Sequence, residues 1–296
     1  VPDRAPRRPR LRVAVVLDEF SLSAFGYEWD QVEVTPSTWR TLLEEQPVDL
    51  LFVESAWHGN HDAWQFHLTG PSAPRPAFVE LVQWCRAHGI PTVFWNKEDP
   101  AHYADFLDTA RLFDVVFTTD VDSRERYLQD LGTDRVWVLP FAAAPDLHNP
   151  VRELANTADR DLAFAGTYYA HRFPERRAQM DLLLGAAVRA GARMESGLDI
   201  FSRMLGREDR YQFPAPFDHY VRGALTYAQM LTAYRAYKVF LNVNSVTTSP
   251  SMCARRIFEI TASGTPVVST PSAAIGEFFA ADEVLEVSDA ATAEQL

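Results

Sequence analysis

Arg255, Arg256 and Glu259 fall within five residues of one another behind a serine-containing loop, a combination of side chains that suits a phosphorylated, hydroxyl-bearing ligand. Guanidinium groups are permanent cations that bind phosphate oxygens in pairs, and a carboxylate accepts hydrogen bonds from sugar hydroxyls. The turn from Ser249 to Cys253, which includes Met252, lies where the pattern predicts a helix start, so its free N–H groups and partial positive charge form a seat for a phosphate or diphosphate. Ser249 and Ser251 are candidate caps, Pro250 suits a first helical turn, and Asn244 stands in the polar loop after the preceding strand. Arg255 and Glu259, four apart, would equally make a surface ion pair worth about 0.3 kcal/mol.

Three other clusters have the right residue types. In AFAGTYYAHRFPERR (163–177), Gly166 follows a strand directly and lets the backbone approach a ligand, while Arg172, Arg176 and Arg177 supply charge-assisted contacts; a tight turn before a solvated basic helix start reads as well. In FWNKEDPAHY (94–103), Asn96, Lys97, Glu98, Asp99 and His102 stand just past a strand, where open parallel sheets place ligands, or they form a salt-bridged loop cap. Glu54, Ser55 and Trp57 end another strand, and an indole stacks on sugar or aglycone faces. His58, His61 and His67 sit in an irregular stretch without metal-ligand spacing, and no metal site is expected.

Alternating elements position these clusters. Apolar runs predict strands at 12–17, 49–53, 91–95, 115–118 and 136–139, with helices over 77–88 and 124–131. A second series follows, with strands at 162–165, 239–243 and 266–269 and helices over 175–190 and 252–262. The domain boundaries read as a flexible basic tail over 1–11, a Rossmann-like domain over 12–145, a linker over 146–160 and a second Rossmann-like domain over 161–296. Asp289–Leu296 reads as the start of a further helix.

Composition excludes several classes. With 47% hydrophobic and 23% charged residues the chain is an ordinary globular protein, and a net charge of −12 argues against general nucleic-acid binding. Two distant cysteines make neither a disulfide framework nor a zinc site. No apolar run reaches membrane-span length and no signal-peptide core is visible, so a cytoplasmic protein is expected.

Lys238–Thr270 resembles the donor-binding segment of GT-B glycosyltransferases, in particular the group-1 and spore-maturation CgeB-like families. Arg256, Phe258, Glu259, Gly264, Pro266, Val267 and Val268 occupy the pattern R-x-F-E, small residues, G-x-P-V-V. The resemblance implies an α/β GT-B fold, two Rossmann-like doubly wound domains facing across a cleft, usually with C-terminal helices that return across the first domain. It implies that Glu259 contacts the donor ribose. The first acid of the paired Glu-x7-Glu motif is missing, since neither Ser251, eight residues before Glu259, nor the neighbouring thioether Met252 is a carboxylate, which is a departure. Gly166, Tyr168, His171 and Arg172 join the donor site by the same resemblance, with Asn244, Ser249, Cys253 and Arg255. Glu54, Trp57 and Asn96 then fall on the acceptor side, and Lys97, Glu98, Asp99 and His102 are the catalytic candidates. Asp120-Val121-Asp122 looks like the D-x-D of metal-dependent GT-A enzymes, but its place after the fourth strand reads as a helix cap with Ser123.

The expected activity is retaining, metal-independent hexosyl transfer (EC 2.4) from a UDP-sugar, or alternatively a GDP-sugar, to an acceptor small molecule or glycan, with no cofactor. Oligomeric state stays open. A GT-B nucleotide-sugar epimerase, a silent sugar-nucleotide-binding subunit and a two-domain periplasmic-type binding protein are the alternatives.

Overall fold

The computed structural model describes residues 3–152 and 158–296. The chain divides into two compact units, one ending at Phe141 and the other beginning at Ala142.

The first unit runs β1 (Arg8–Val16), α1 (Glu19–Phe25), β2 (Trp29–Glu33), α2 (Trp39–Glu45), β3 (Leu50–Glu54), α3 (Pro76–Ala87), β4 (Thr92–Asn96), α4 (Tyr103–Ala110), β5 (Val115–Thr118), α5 (Val121–Leu131) and β6 (Val136–Val138). Its strands form one parallel sheet in the order β2-β1-β3-β4-β5-β6. Successive strand residues point to opposite faces, so each face needs its own apolar cover. Ala14, Val16, Val53 and Phe94 pack with Trp64, Phe78, Leu81 and Phe106 on one side, and Val13, Val15, Phe52 and Trp95 build the core of the other. Residues 8–11, expected in a flexible tail, belong to β1: Arg8 N–H donates to Glu28 O, and the Arg8 and Arg12 side chains pair with Glu28 and Asp30.

The second unit runs β7 (Arg160–Ala165), α6 (Pro174–Gly191), β8 (Leu198–Phe201), β9 (Val221–Gly223), α7 (Tyr227–Ala236), β10 (Tyr237–Asn242), α8 (Arg255–Ala262), β11 (Val267–Ser269), α9 (Ile275–Phe278), β12 (Val284–Glu286) and α10 (Ala290–Gln295). Its parallel sheet has the order β12-β11-β10-β7-β8-β9. Leu162, Phe164, Ile200, Leu241 and Val268 meet Met180, Leu183 and Leu184 of α6 in one core. The expected linker, 146–160, is described except for residues 153–157, which lie outside the described residues.

Strand order tells where ligands sit. Open α/β sheets bind them beyond the carboxyl ends of the strands, where the order reverses. In the first sheet that point lies between β1 and β3, and in the second between β7 and β10.

Candidate active site

At the reversal point of the first sheet, Asp18, Glu54 and Lys97 meet from the ends of β1, β3 and β4. Lys97 is buried, with Nζ 2.9 Å from Asp18 Oδ2, 3.6 Å from Glu54 Oε1 and 3.5 Å from Glu98 Oε1. Glu54 accepts from Asp18 N–H and from the Ser21 hydroxyl, both at 2.6 Å. Burial pushes the Glu54 carboxyl up to about 7 against the pull of Lys97. Burial also opposes the charge of Lys97, yet Glu54, Asp18 and Glu98 outweigh it and raise the lysine above its ordinary range. Burial likewise opposes the Asp18 charge, but Lys97 and the Gly59 and His58 N–H groups keep Asp18 below the usual carboxylate range. Breaking such a buried ion cluster is strongly destabilising, while assembling it contributes little net stability, so its position at a ligand-binding edge is informative.

Asp18 also shapes the loop beside it. Its carboxylate accepts from Trp57, His58 and Gly59 N–H, and Asn60 ties the same loop to Leu17 N–H, Val15 O and Val34 O. Gly59, Asn60, His61 and Asp62 all have positive φ, a run that L-residues adopt at a cost of about 1–2 kcal/mol each. The bonds from Asp18 and Asn60 hold this conformation, which leaves Trp57 36% exposed, edge-on to His102 and Phe106.

Glu98 and His102 are the members of the expected catalytic set that reach solvent; His102 Nδ1 is 2.7 Å from Asp105 Oδ2. Asp99, a candidate base, faces inward. It is buried, accepts from Asn96 Nδ2, the Thr118 hydroxyl and Tyr127, and burial pushes it up to about 7. Asn96 and Glu54, expected on the acceptor side, are also buried and support the edge from below. The histidines go separate ways: His58 pairs with Asp62, and His61 Nε2 lies 3.2 Å from Glu33. Asp120 caps α5 by accepting from Ser123 N–H and its hydroxyl.

In the second unit a cavity of about 290 Å³ opens at the ends of β7 and β8. Gly166 and Thr167 form one wall, Arg176, Arg203 and Arg256 reach into it, and Phe201, Leu225 and Met230 make an apolar side. A Cβ on Gly166 would come within 2.9 Å of the Phe164 ring, so glycine lets the chain pass here. Arg176 Nη1 donates to Thr167 O at 2.6 Å, which fixes its guanidinium at the cavity wall. Burial and the neighbouring Arg256 draw Arg176 down to about 10.

Glu259, on the same helix as Arg256, is buried and does not line this cavity. Tyr227 and Arg255 donate to Oε1, Tyr234 donates to Oε2 at 2.9 Å, and His148 Nε2 stands 3.4 Å from Oε1. His148 Nδ1 accepts from Ala144 N–H, so in its neutral form Nε2 carries the proton and donates to Tyr227. Three donors leave about one of the carboxylate's roughly four lone-pair sites open.

The turn before α8 differs from expectation. The helix begins at Arg255 behind Ala254, and Ser249 Oγ instead accepts from Ser251 and Met252 N–H within a separate turn. Buried Cys253 anchors that turn to the core, and the extended Ala254 delays the helix. Asn244 is buried as well, bonded to Gln179, Ser269 and Thr270. Tyr168 packs on Phe213, His171 on Tyr211, and Arg172 stacks over Tyr169 and Phe173 at the rim. Gly166 and Arg256 of the expected donor set line the cavity, together with Arg176, read from the sequence as a charge-assisted contact. Asp18, Arg203, His148, Tyr227 and Tyr234 escaped the sequence reading; an aspartate directly behind the first strand was the one local signal among them.

Residues 151–296, wholly within the second unit, match the family model described as glycosyl transferase-like. Comparison with curated proteins found no match. Among solved structures, Anabaena Alr3699/HepE in complex with UDP-glucose is similar over 96% of this chain and 80% of its own, with 13% identity and a TM-score of 0.51. A mutant of T4 phage BGT in complex with UDP-glucose is similar over 96% of this chain and 88% of its own, with 11% identity and a TM-score of 0.51. With two six-stranded parallel sheets flanked by helices, the chain has the GT-B fold.

Proposed function

We propose that this protein is a glycosyltransferase that moves a sugar from a UDP-sugar to an acceptor hydroxyl, and that the second unit holds the donor. The observation that carries this reading is the arginine-lined cavity beside Gly166, inside the segment that matches a glycosyl transferase-like family. The diphosphate would lie against Arg176 and Arg256 near the start of α8, with the nucleobase on the apolar side at Phe201, Leu225 and Met230. Glu259 would take the ribose through its open lone-pair site, with the tyrosines fixing its orientation.

As the bond from the anomeric carbon to the diphosphate oxygen breaks, its electron pair passes to that oxygen. Arginines placed beforehand stabilise the growing charge without a divalent ion. The acceptor oxygen bonds to the anomeric carbon on the same face, and its proton goes to the departing phosphate, so configuration is retained. Trp57 offers the acceptor a face for stacking, and Glu98 accepts a hydrogen bond from one of its hydroxyls.

One residue favours a second reading. Ser251, eight residues before Glu259, stands where the related pattern has an acid, which suits a subunit that binds a sugar nucleotide without turning it over. A thermal-shift panel of UDP, GDP, dTDP and their sugars, with and without magnesium, followed by a donor-hydrolysis assay, separates the two. Stabilisation by UDP and UDP-sugar with metal-independent hydrolysis supports the transferase. Binding without turnover favours the silent subunit, a changed sugar released without acceptor identifies an epimerase, and no shift with any nucleotide removes the donor site.

A further inference from the structure

Arg176, Arg203 and Arg256 reach one cavity from three elements: the first turn of α6, the segment after β8 and the first turn of α8. Among the described residues, none of the three forms an ion pair with a carboxylate. Other arginines of this unit behave differently: Arg160 and Arg222 both close on Asp199, and Arg189 and Arg193 on Glu294. Cations gathered around a cavity without a directly paired carboxylate repel one another, which is costly in the empty protein and favourable once an anion arrives. Arg203 is the most exposed of the three, while Arg176 is fixed to Thr167 O.

We infer that Arg203 is a third phosphate-binding residue, and that the three guanidiniums together match the freed nucleoside diphosphate better than the intact nucleotide sugar. This rests on the reading of the cavity as a nucleotide-sugar site. In the intact donor each phosphate is a diester-like group with one charge. After transfer the terminal phosphate gives up the acquired proton to solvent and carries about −1.5 to −2, so the leaving group approaches about −3. Arg176 and Arg256 suffice for the donor, and Arg203 answers the charge that appears during the reaction. The loop after β8 therefore favours the late, charge-separated state over the ground state.

Calorimetric titration of the full chain and of Arg203→Ala and Arg203→Lys with pyrophosphate, UDP and UDP-glucose tests this. The parent is expected to bind UDP more tightly than UDP-glucose. Arg203→Ala should weaken UDP and pyrophosphate by about tenfold or more, UDP-glucose by less, and leave the melting temperature of the free protein unlowered. Arg203→Lys should recover part of the loss, because the charge remains without the paired donors. Equal losses for UDP and UDP-glucose, or unchanged pyrophosphate affinity in Arg203→Ala, would overturn the inference. Pyrophosphate binding that depends on Arg203, with neither uridine nucleotide bound, would instead sink the nucleotide-sugar reading and keep Arg203 as an anion ligand.

Discussion

Arg256 and Glu259 lie one helical turn apart on α8, yet Arg256 lines the open cavity beside Gly166 while Glu259 is buried against Tyr227 and Tyr234. One short helix thus turns a cation toward the cavity and holds its anion chiefly with protein donors. Through Glu259 the helix is joined to α7 and, by way of Tyr227 and His148, to the opening segment of the same unit.

Replacing Glu259 by alanine should therefore affect folding as well as binding. Arg255 and two tyrosine hydroxyls would lose their shared acceptor. Removing one partner of a buried pair costs about 3–5 kcal/mol, and because Arg255 stays partly exposed we expect about 2–4 kcal/mol by denaturant unfolding. A loss below about 1 kcal/mol would mean that these bonds do not hold the helix in place. Comparing UDP with its 2′-deoxy counterpart in Glu259→Gln isolates the ribose contact, since only a direct contact makes the discrimination collapse.

Gly264 closes the same helix. It has φ of +76°, and a Cβ there would stand 2.8 Å from Pro150 Cβ. Gly264→Ala should cost about 1–2 kcal/mol for the left-handed backbone alone, with the clash added. Nucleotide affinity in the folded fraction should stay near that of the parent. A neutral effect on the melting temperature would show that the chain at Pro150 yields readily.

Glu54 and Asp99 give the first unit a pH signature. Both carboxyls are raised to about 7 in the fold, against about 4 in an unfolded chain. An acid with a raised folded pKa binds its proton better in the native state. Its stabilisation is full below about pH 4 and is lost as pH rises to about 7. These two groups should therefore make stability fall across that window. Glu54→Gln, which keeps an acceptor for Asp18 N–H, should remove about half of that downward contribution, leaving that of Asp99. Unfolding curves from pH 5 to 8 check it: an unchanged slope in the variant would mean that Glu54 titrates normally.

Much of this arrangement was legible because buried parallel strands are short apolar runs. Val115–Thr118 was expected with its exact limits, and β1, β3, β4, β6, β7, β10 and β11 lie within a few residues of expectation. β2, β8, β9 and β12 were not visible. β2 is mostly polar and half exposed, β8 carries Asp199 at its centre, β9 is interrupted by Arg222, and β12 is a three-residue piece ending at Glu286. Polar clusters behind strands were found for the same reason that the strands were, but the sense in which each side chain points was not. Glu98 and Asp99 are neighbours of the same chemistry, and only packing against Thr118 and Tyr127 turns one of them inward. The Asp18–Lys97 pair spans 79 residues, so no local spacing could announce it. At Ser249–Pro250 the cap signal was real but belonged to a turn ahead of the helix.

The outward member of that pair decides the proton's route. If the departing phosphate takes the acceptor proton, Glu98 only orients the acceptor, and Glu98→Gln keeps its size and an acceptor oxygen. Transfer by this variant should then stay within about tenfold of the parent, with the change mainly in the KM for acceptor. A general base contributes about 10²- to 10⁴-fold, so a loss of that size in kcat, with the acidic limb of the pH–rate profile abolished, would assign the proton to Glu98. Inverted product stereochemistry would accompany the base, and retained stereochemistry the phosphate.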